Sequence, residues 1–183
     1  GNGKVEKLLG KVFSKKKDIS ICTKFGNRVK GNKIIFDSSV NYFTNSLNLS
    51  LKRLKREYID IFLLHSPPEK INIDLTLEKK INQTLQSGEI SSFGVSCRSC
   101  DDAIYYINNY EFIKHIEINY NIFDRRAEKK LFKLARKNNI SIIARAPFAN
   151  GMVFTKNLKK KFKNIDFRSK FDSDTKNWLK KQI

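Results

Sequence analysis

Cysteine, histidine, acidic residues and long apolar runs are all scarce in these 183 residues. Three cysteines form no even disulfide framework, and so few fit a reducing compartment. Two of them, Cys97 and Cys100, make a C-x-x-C. That spacing reads either as a redox pair or as two incidental thiols at a strand-to-helix junction. A metal site would need more ligands, and the chain has two histidines, so no metal is expected. No run approaches the roughly 18 apolar residues of a membrane helix. No stretch is laid out as a secretory signal peptide. The expectation is a cytoplasmic protein with no membrane partner.

The shortage of acid leaves 18 Asp and Glu against 37 Lys and Arg, a formal net charge of +19. Such an excess is the electrostatic footprint of an anionic partner. Here the lysines are spread along the chain among Asn and Ile, and no base-reading motif accompanies them. The densest run, NLKKKFKN at 157–164, reads as a solvated face, and no nucleic-acid partner is expected. Two further absences concern chemistry. No Gly-x-Gly-x-x-Gly opens a helix after a strand, which counts against a dinucleotide-binding Rossmann domain. No Ser-His-acid or Cys-His nucleophile signature is evident.

What is present is alternation. DISICTKF (18–25) reads as a buried strand, followed by a polar loop with Gly26 and Gly31. From about Ser38, Val40, Phe43, Leu47, Leu51 and Leu54 fall at spacings of three and four, the stripe of an amphipathic helix capped by Asp37 or Ser38. IDIFLLH (59–65) is the next strand, and a helix with Leu77, Ile81 and Leu85 on one face runs to Gly88. ISSFGVS (90–96), HIEINYN (115–121) and ISIIARAP (140–147) read as strands. Helices at 100–110 and 126–139 separate them, and another begins in the tail at 172–183. Strictly alternating βα units imply a parallel sheet with helical cover. An open doubly wound sheet and a (β/α)8 barrel both satisfy that pattern.

The polar residues of these strands cluster at their C-terminal ends. Lys24, His65, Ser96 and Arg145 end four strands, and Glu117 and Asn119 lie in another. In parallel βα folds those ends share one face, and that face carries the active site. The residues are therefore expected at one mouth. His115 begins its strand on this reading and is taken as structural. A lysine, a histidine that titrates near neutrality, a hydroxyl, a carboxylate or amide and a planar guanidinium suit a flat heteroaromatic cofactor and a carbonyl substrate better than hydrolysis.

At this point the residues resemble a known family. GNGKVEKLLG (1–10), ICTKFG (21–26), YIDIFLLHSP (58–67), SGEISSFGVS (87–96), IEINYNIFDR (116–125) and IIARAPFANGMVF (142–154) resemble, in order, the successive signatures of the aldo-keto reductases. DFRSKF (166–171) with Trp178 is similar to a segment that follows the seventh strand in some bacterial members. The resemblance implies a (β/α)8 TIM barrel, present in part as about five parallel strands in one incomplete domain over 1–183. It also implies reversible reduction of a small aldehyde or ketone by a nicotinamide cofactor, usually NADP with NAD as the alternative. In the family a tyrosine donates the proton, and a lysine paired with an aspartate lowers its pKa, a tuned general acid. A histidine orients the carbonyl. Lys24 and His65 match the lysine and the histidine. Ser96 matches a serine that holds the nicotinamide carboxamide, Arg145 a residue that stacks on the ring, and Ala146, Pro147, Phe148 and Gly151 a loop that approaches the pyrophosphate.

Three departures from that pattern matter. Cys97 stands where an asparagine is usual and Glu117 where a glutamine is usual, both at carboxamide-binding positions. A thiol is a weak donor, and an ionised Glu accepts but does not donate. The sequence also starts at the glycine that directly follows the family's tyrosine. The expectation is a piece of a longer reading frame, without the tyrosine, its aspartate or the eighth strand, inactive by itself and prone to associate. The alternative reading is a non-catalytic cofactor-binding or redox-sensing module on the same fold, to which Cys97 and Glu117 lend some weight. The resemblance leaves the oligomeric state open.

Overall fold

A computed structural model describes residues 2–31, 33–68, 70–151, 163 and 166. The run at 157–162, the tail helix expected from residue 172 and the segment around Trp178 lie outside the described residues. Helix α1 (Lys4–Phe13) leads into strand β1 (Cys22–Phe25) and the pair β2 (Asn27–Lys30) and β3 (Lys33–Phe36). Then follow α2 (Val40–Leu54), β4 (Ile59–His65), α3 (Leu75–Gln86), β5 (Ile90–Ser96), α4 (Cys100–Asn109), β6 (Ile113–Asn119), α5 (Leu131–Lys137) and β7 (Ser141–Arg145).

Five strands form one parallel sheet in the order β1-β4-β5-β6-β7. Each new strand joins beside the last, with no point where the order reverses. A doubly wound sheet requires such a reversal, so the arrangement is an arc of barrel staves. It is not a closed barrel among the described residues.

The two faces of the arc differ because successive side chains alternate. Phe25, Phe62, Leu64, Phe93, Val95, Ile116 and Ile118 are all buried and pack on the helical side. The rings of Phe25 and Phe43 of α2 meet edge to face at 5.0 Å, and Phe25 stacks on Phe62 at 5.2 Å. Each such ring fully removed from water contributes roughly 1.5–3 kcal/mol, so this layer holds the helices to the sheet. The other face carries Cys22, Lys24, Ile61, Leu63, His65, Ser92, Gly94, Ser96, His115, Glu117 and Asn119 in matching register. Gly94 is required there. A β-carbon on it would lie 2.1 Å from the carbonyl oxygen of His115, where β5 and β6 slip in register.

Several expectations shift. The loop after β1 is an antiparallel hairpin, β2 paired with β3. Its mixed NRVK and KIIF strands are largely exposed, so burial gave no alternation to read. The cap of α2 is Ser39, whose Oγ accepts from the Tyr42 amide, while Asp37 accepts from the amide and hydroxyl of Ser39. The helix expected at 126–139 splits into a 3-10 turn at Arg126–Glu128 and α5. His115 is the third residue of β6 instead of its first, and its Nε2 lies 2.9 Å from the Ser92 hydroxyl.

Helix α1 had no sequence assignment. Its Glu6 fastens three elements: one oxygen accepts from Thr23 of β1 at 2.6 Å and from Ser50 of α2 at 2.7 Å, and the other pairs with Arg53 at 3.0 Å. Burial pushes the Glu6 carboxyl up, but these donors outweigh it and hold it below the usual glutamate range.

Candidate active site

The C-terminal ends of the strands do meet at one mouth. Lys24 Nζ lies 2.8 Å from Glu117 Oε2. Ser96 Oγ donates to Glu117 Oε1 at 2.8 Å. Arg145 spreads its guanidinium over four partners. Nε donates to Asn119 Oδ1 at 2.8 Å, Nη2 to the Cys97 carbonyl at 3.2 Å, and Nη1 to Ser96 Oγ at 3.1 Å and to Ser66 Oγ at 3.4 Å. Its Nη1 is also 4.0 Å from Glu117 Oε1. A carboxylate is thus flanked by two cations and a hydroxyl, and its side chain is only 9% exposed.

Burial alone would push the Glu117 carboxyl up. The hydrogen bond and charge of Lys24, the Ser96 hydroxyl and the charge of Arg145 overcome it and hold the group below the usual range. His65 is half-buried beside Lys24. Burial lowers its pKa, and the charges of Lys24, Arg145 and Arg98 act in the same direction against the opposing Glu117. The imidazole is therefore neutral at neutral pH, with one N–H free to donate and one ring nitrogen free to accept. Lys24 and His65 line a cleft of about 640 Å³ together with Cys22, Thr23, Tyr42 and Glu6. The Tyr42 hydroxyl donates to the Asn27 carbonyl at 2.9 Å.

The thiol of Cys97 is not brought to this mouth. One residue beyond Ser96, it points to the helical side and is fully buried in the core. What Cys97 gives the mouth is its backbone: its carbonyl accepts from Arg145 and its amide donates to the Glu117 carbonyl. Burial drives its thiol pKa far up, and that of Cys100 up as well. All three cysteines are free thiols. Neither member of the C-x-x-C has the depressed pKa of a reactive thiolate, which weighs against the redox-sensing alternative.

After β7 the loop Ala146–Gly151 turns tightly. Ala146, Ala149, Asn150 and Gly151 all have φ between 48° and 81°, a conformation that non-glycine residues adopt at a cost and that clusters at functional sites. The Ala146 carbonyl accepts from Asn121 Nδ2 at 3.1 Å. Pro147 borders a shallow surface groove with Tyr120 and Arg125, and Phe148 is exposed. Asn119, expected at the mouth beside Glu117, is there: period two puts it on the same face, and it accepts from Arg145. One mouth residue escapes the sequence reading. Ser66 has φ 49° and accepts from Arg145; nothing in its local sequence marks it.

Among the described residues no group of His, Cys, Asp and Glu could hold a metal ion, and no helix is long and apolar enough to cross a membrane.

Comparison with known proteins gives the same direction. An uncharacterized oxidoreductase of Bacillus subtilis, YqkF, is 32% identical over 159 residues, 85% of this chain and 51% of that protein. The aldo-keto reductase yakc [NADP(+)] of Schizosaccharomyces pombe is 27% identical over 164 residues, 84% of this chain and 47% of its own. The structure of the glycerol dehydrogenase AKR11B4 from Gluconobacter oxydans superposes with a TM-score of 0.78 at 26% identity, covering 97% of this chain and 57% of that one. The chain thus spans about half the length of the curated relatives it matches. The pattern of the aldo/keto reductase family matches residues 1–180, nearly every position, and with the arc of parallel staves and their polar mouth it establishes that the chain belongs to the aldo/keto reductase family.

Proposed function

We propose that this chain carries the lysine, the histidine and the carboxamide-binding groups of an NAD(P)H-dependent oxidoreductase that reduces an aldehyde or ketone to an alcohol. The observation that carries the reading is the convergence of Lys24, His65, Ser96, Glu117 and Arg145 at one end of the sheet. The residues fit a nicotinamide carboxamide. Such a group needs a donor for its carbonyl and an acceptor for its NH2. Ser96 spends its one hydroxyl proton on Glu117, so Arg145 supplies the donor. Glu117, whose carboxylate has more lone pairs than Lys24 and Ser96 occupy, supplies the acceptor. The relative named for NADP(+) favours NADP over NAD. When bound, the reduced nicotinamide supplies the hydride.

The chain's own residues then orient and polarise. The neutral His65 imidazole points an N–H toward a carbonyl oxygen in the cleft. The Lys24 charge nearby stabilises negative charge developing on that oxygen, an effect that grows where water is excluded. Arg145, tied to Ser96, Ser66 and Asn119, holds the carboxamide end of the site rigid. The loop Ala146, Pro147, Phe148 and Gly151 stands beside it for the cofactor's phosphates.

Titration of the chain with NADPH, followed by nucleotide fluorescence, tests the reading. Saturable binding is expected, weakened about tenfold in Arg145→Ala by the loss of charge-assisted hydrogen bonds. Absence of binding at millimolar NADPH overturns it. Turnover of a generic aldehyde by these 183 residues is expected to be negligible, because the group paired with Lys24 is Glu117 and not a proton-donating tyrosine. Sustained NADPH consumption would sink that part of the reading.

A further inference from the structure

We infer that Glu117 is a positioning residue for Lys24, a clasp that pulls the lysine of β1 across the inner face of the sheet and holds it beside His65. This goes beyond the reading in which Glu117 meets the cofactor. The strand order is the first support. Between β1 and β6 lie β4 and β5, three inter-strand spacings, which in a flat sheet is about 14 Å. Yet Lys24 Nζ and Glu117 Oε2 are 2.8 Å apart. Only a curved arc with both side chains leaning inward closes that distance, so the pair spans the concave face as a bowstring spans a bow. Arg145 makes the same crossing from β7 to Ser66 at the end of β4.

The second support is commitment. Both Glu117 oxygens are taken, Oε2 by Lys24 and Oε1 by Ser96, and the carboxylate is nearly buried. A carboxylate so placed needs compensating charge, which Lys24 supplies at contact distance and Arg145 at 4.0 Å. Lys24 is the more exposed partner at 26%. Without the carboxylate its long, flexible chain has a cleft of about 640 Å³ to swing into. A glutamine at 117 would keep the shape but remove the charge that fixes the ammonium.

Amine labelling tests this at the atom concerned. The whole chain is treated with a limiting amine acylating reagent, and the labelling rate of each lysine is read by mass spectrometry. In Glu117→Gln, Lys24 is expected to label at least threefold faster while the exposed Lys30 and Lys114 keep their rates. In Glu117→Asp, which keeps the charge, Lys24 is expected to stay within twofold of the parent chain. An unchanged Lys24 rate in Glu117→Gln overturns the inference. If Glu117→Gln unfolds and every lysine speeds up together, the charge-reversed pair Lys24→Glu with Glu117→Lys decides. Slow labelling at position 117 and restored protection elsewhere support the clasp, and continued global labelling overturns it. The assay contains no nucleotide. A chain that protects Lys24 but fails to bind NADPH keeps this inference and loses the proposed function, and the converse result does the reverse.

Discussion

At the scale of single residues, the mouth works through opposed electrostatic terms. Burial and the neighbouring Lys24 hold the His65 pKa below its ordinary value, so the unfolded chain takes up that proton first as pH falls. Stability from this group is complete above about pH 6.5 and declines below it, down to the folded-state pKa. His115, lowered by burial, adds a loss of the same sign. Urea unfolding between pH 7.5 and 5.5 should therefore show falling stability, with a shallower slope in His65→Asn. Glu117 has the carboxylate sign. Its folded pKa is depressed, so its contribution is present above about pH 4.5 and is lost as pH drops through the folded value. An acid-side slope below pH 4.5 should thus be shallower in Glu117→Gln, in the same unfolding series.

At the scale of elements, α1 depends on a small residue. A β-carbon on Gly10 would lie 2.3 Å from the Arg53 carbonyl of α2. Close approach of two helix backbones allows no side chain there, so Gly10→Ala is expected to push α1 outward and to cost about 1–3 kcal/mol through overpacking. A lowered thermal midpoint measures it, with weakened Glu6 contacts to Thr23 and Ser50. Ser99 is the second example. It accepts from the Asp102 amide while Asp102 accepts from the Ser99 amide, a complete capping box at the start of α4, and Ser99→Ala should cost about 1 kcal/mol. The capping Ser99 and Gly88, whose φ of 79° ends α3, carry local signatures. The Gly10 contact has none, because the carbonyl it must avoid lies on another helix.

At the scale of the whole molecule, the sheet is an arc with two outer strands. Among the described residues β1 and β7 each pair with a strand on one side only. Unpaired edges are templates for association, and the inner face adds half-buried Ile61 and Ile143. These 183 residues in isolation are expected to self-associate, seen as a concentration-dependent mass by sedimentation. A monodisperse monomer that melts cooperatively would count against it. The charge of +19 opposes association through self-repulsion, so added salt, which screens that repulsion, should increase the associated fraction.

The periodic elements were legible from local pattern alone. β4 and β5 have the bounds that their apolar runs imply, and α2 and α3 follow their stripes at three and four residues. In these segments the local period and the burial agree, so one-dimensional pattern suffices. It also placed Lys24, His65, Ser96, Glu117 and Arg145 at strand ends, and ordered signatures implied the family. Tertiary structure decided what those residues do to one another. Strand order resolved the arc from a doubly wound sheet. Curvature brought Lys24 of β1 to Glu117 of β6, a contact invisible to any local window. The alternation of β5 sent the Cys97 thiol into the core while leaving Ser96 in the mouth. The physical reason is the same in each case: partners distant in sequence are chosen by how the sheet curls, and curl is a property of all the staves together.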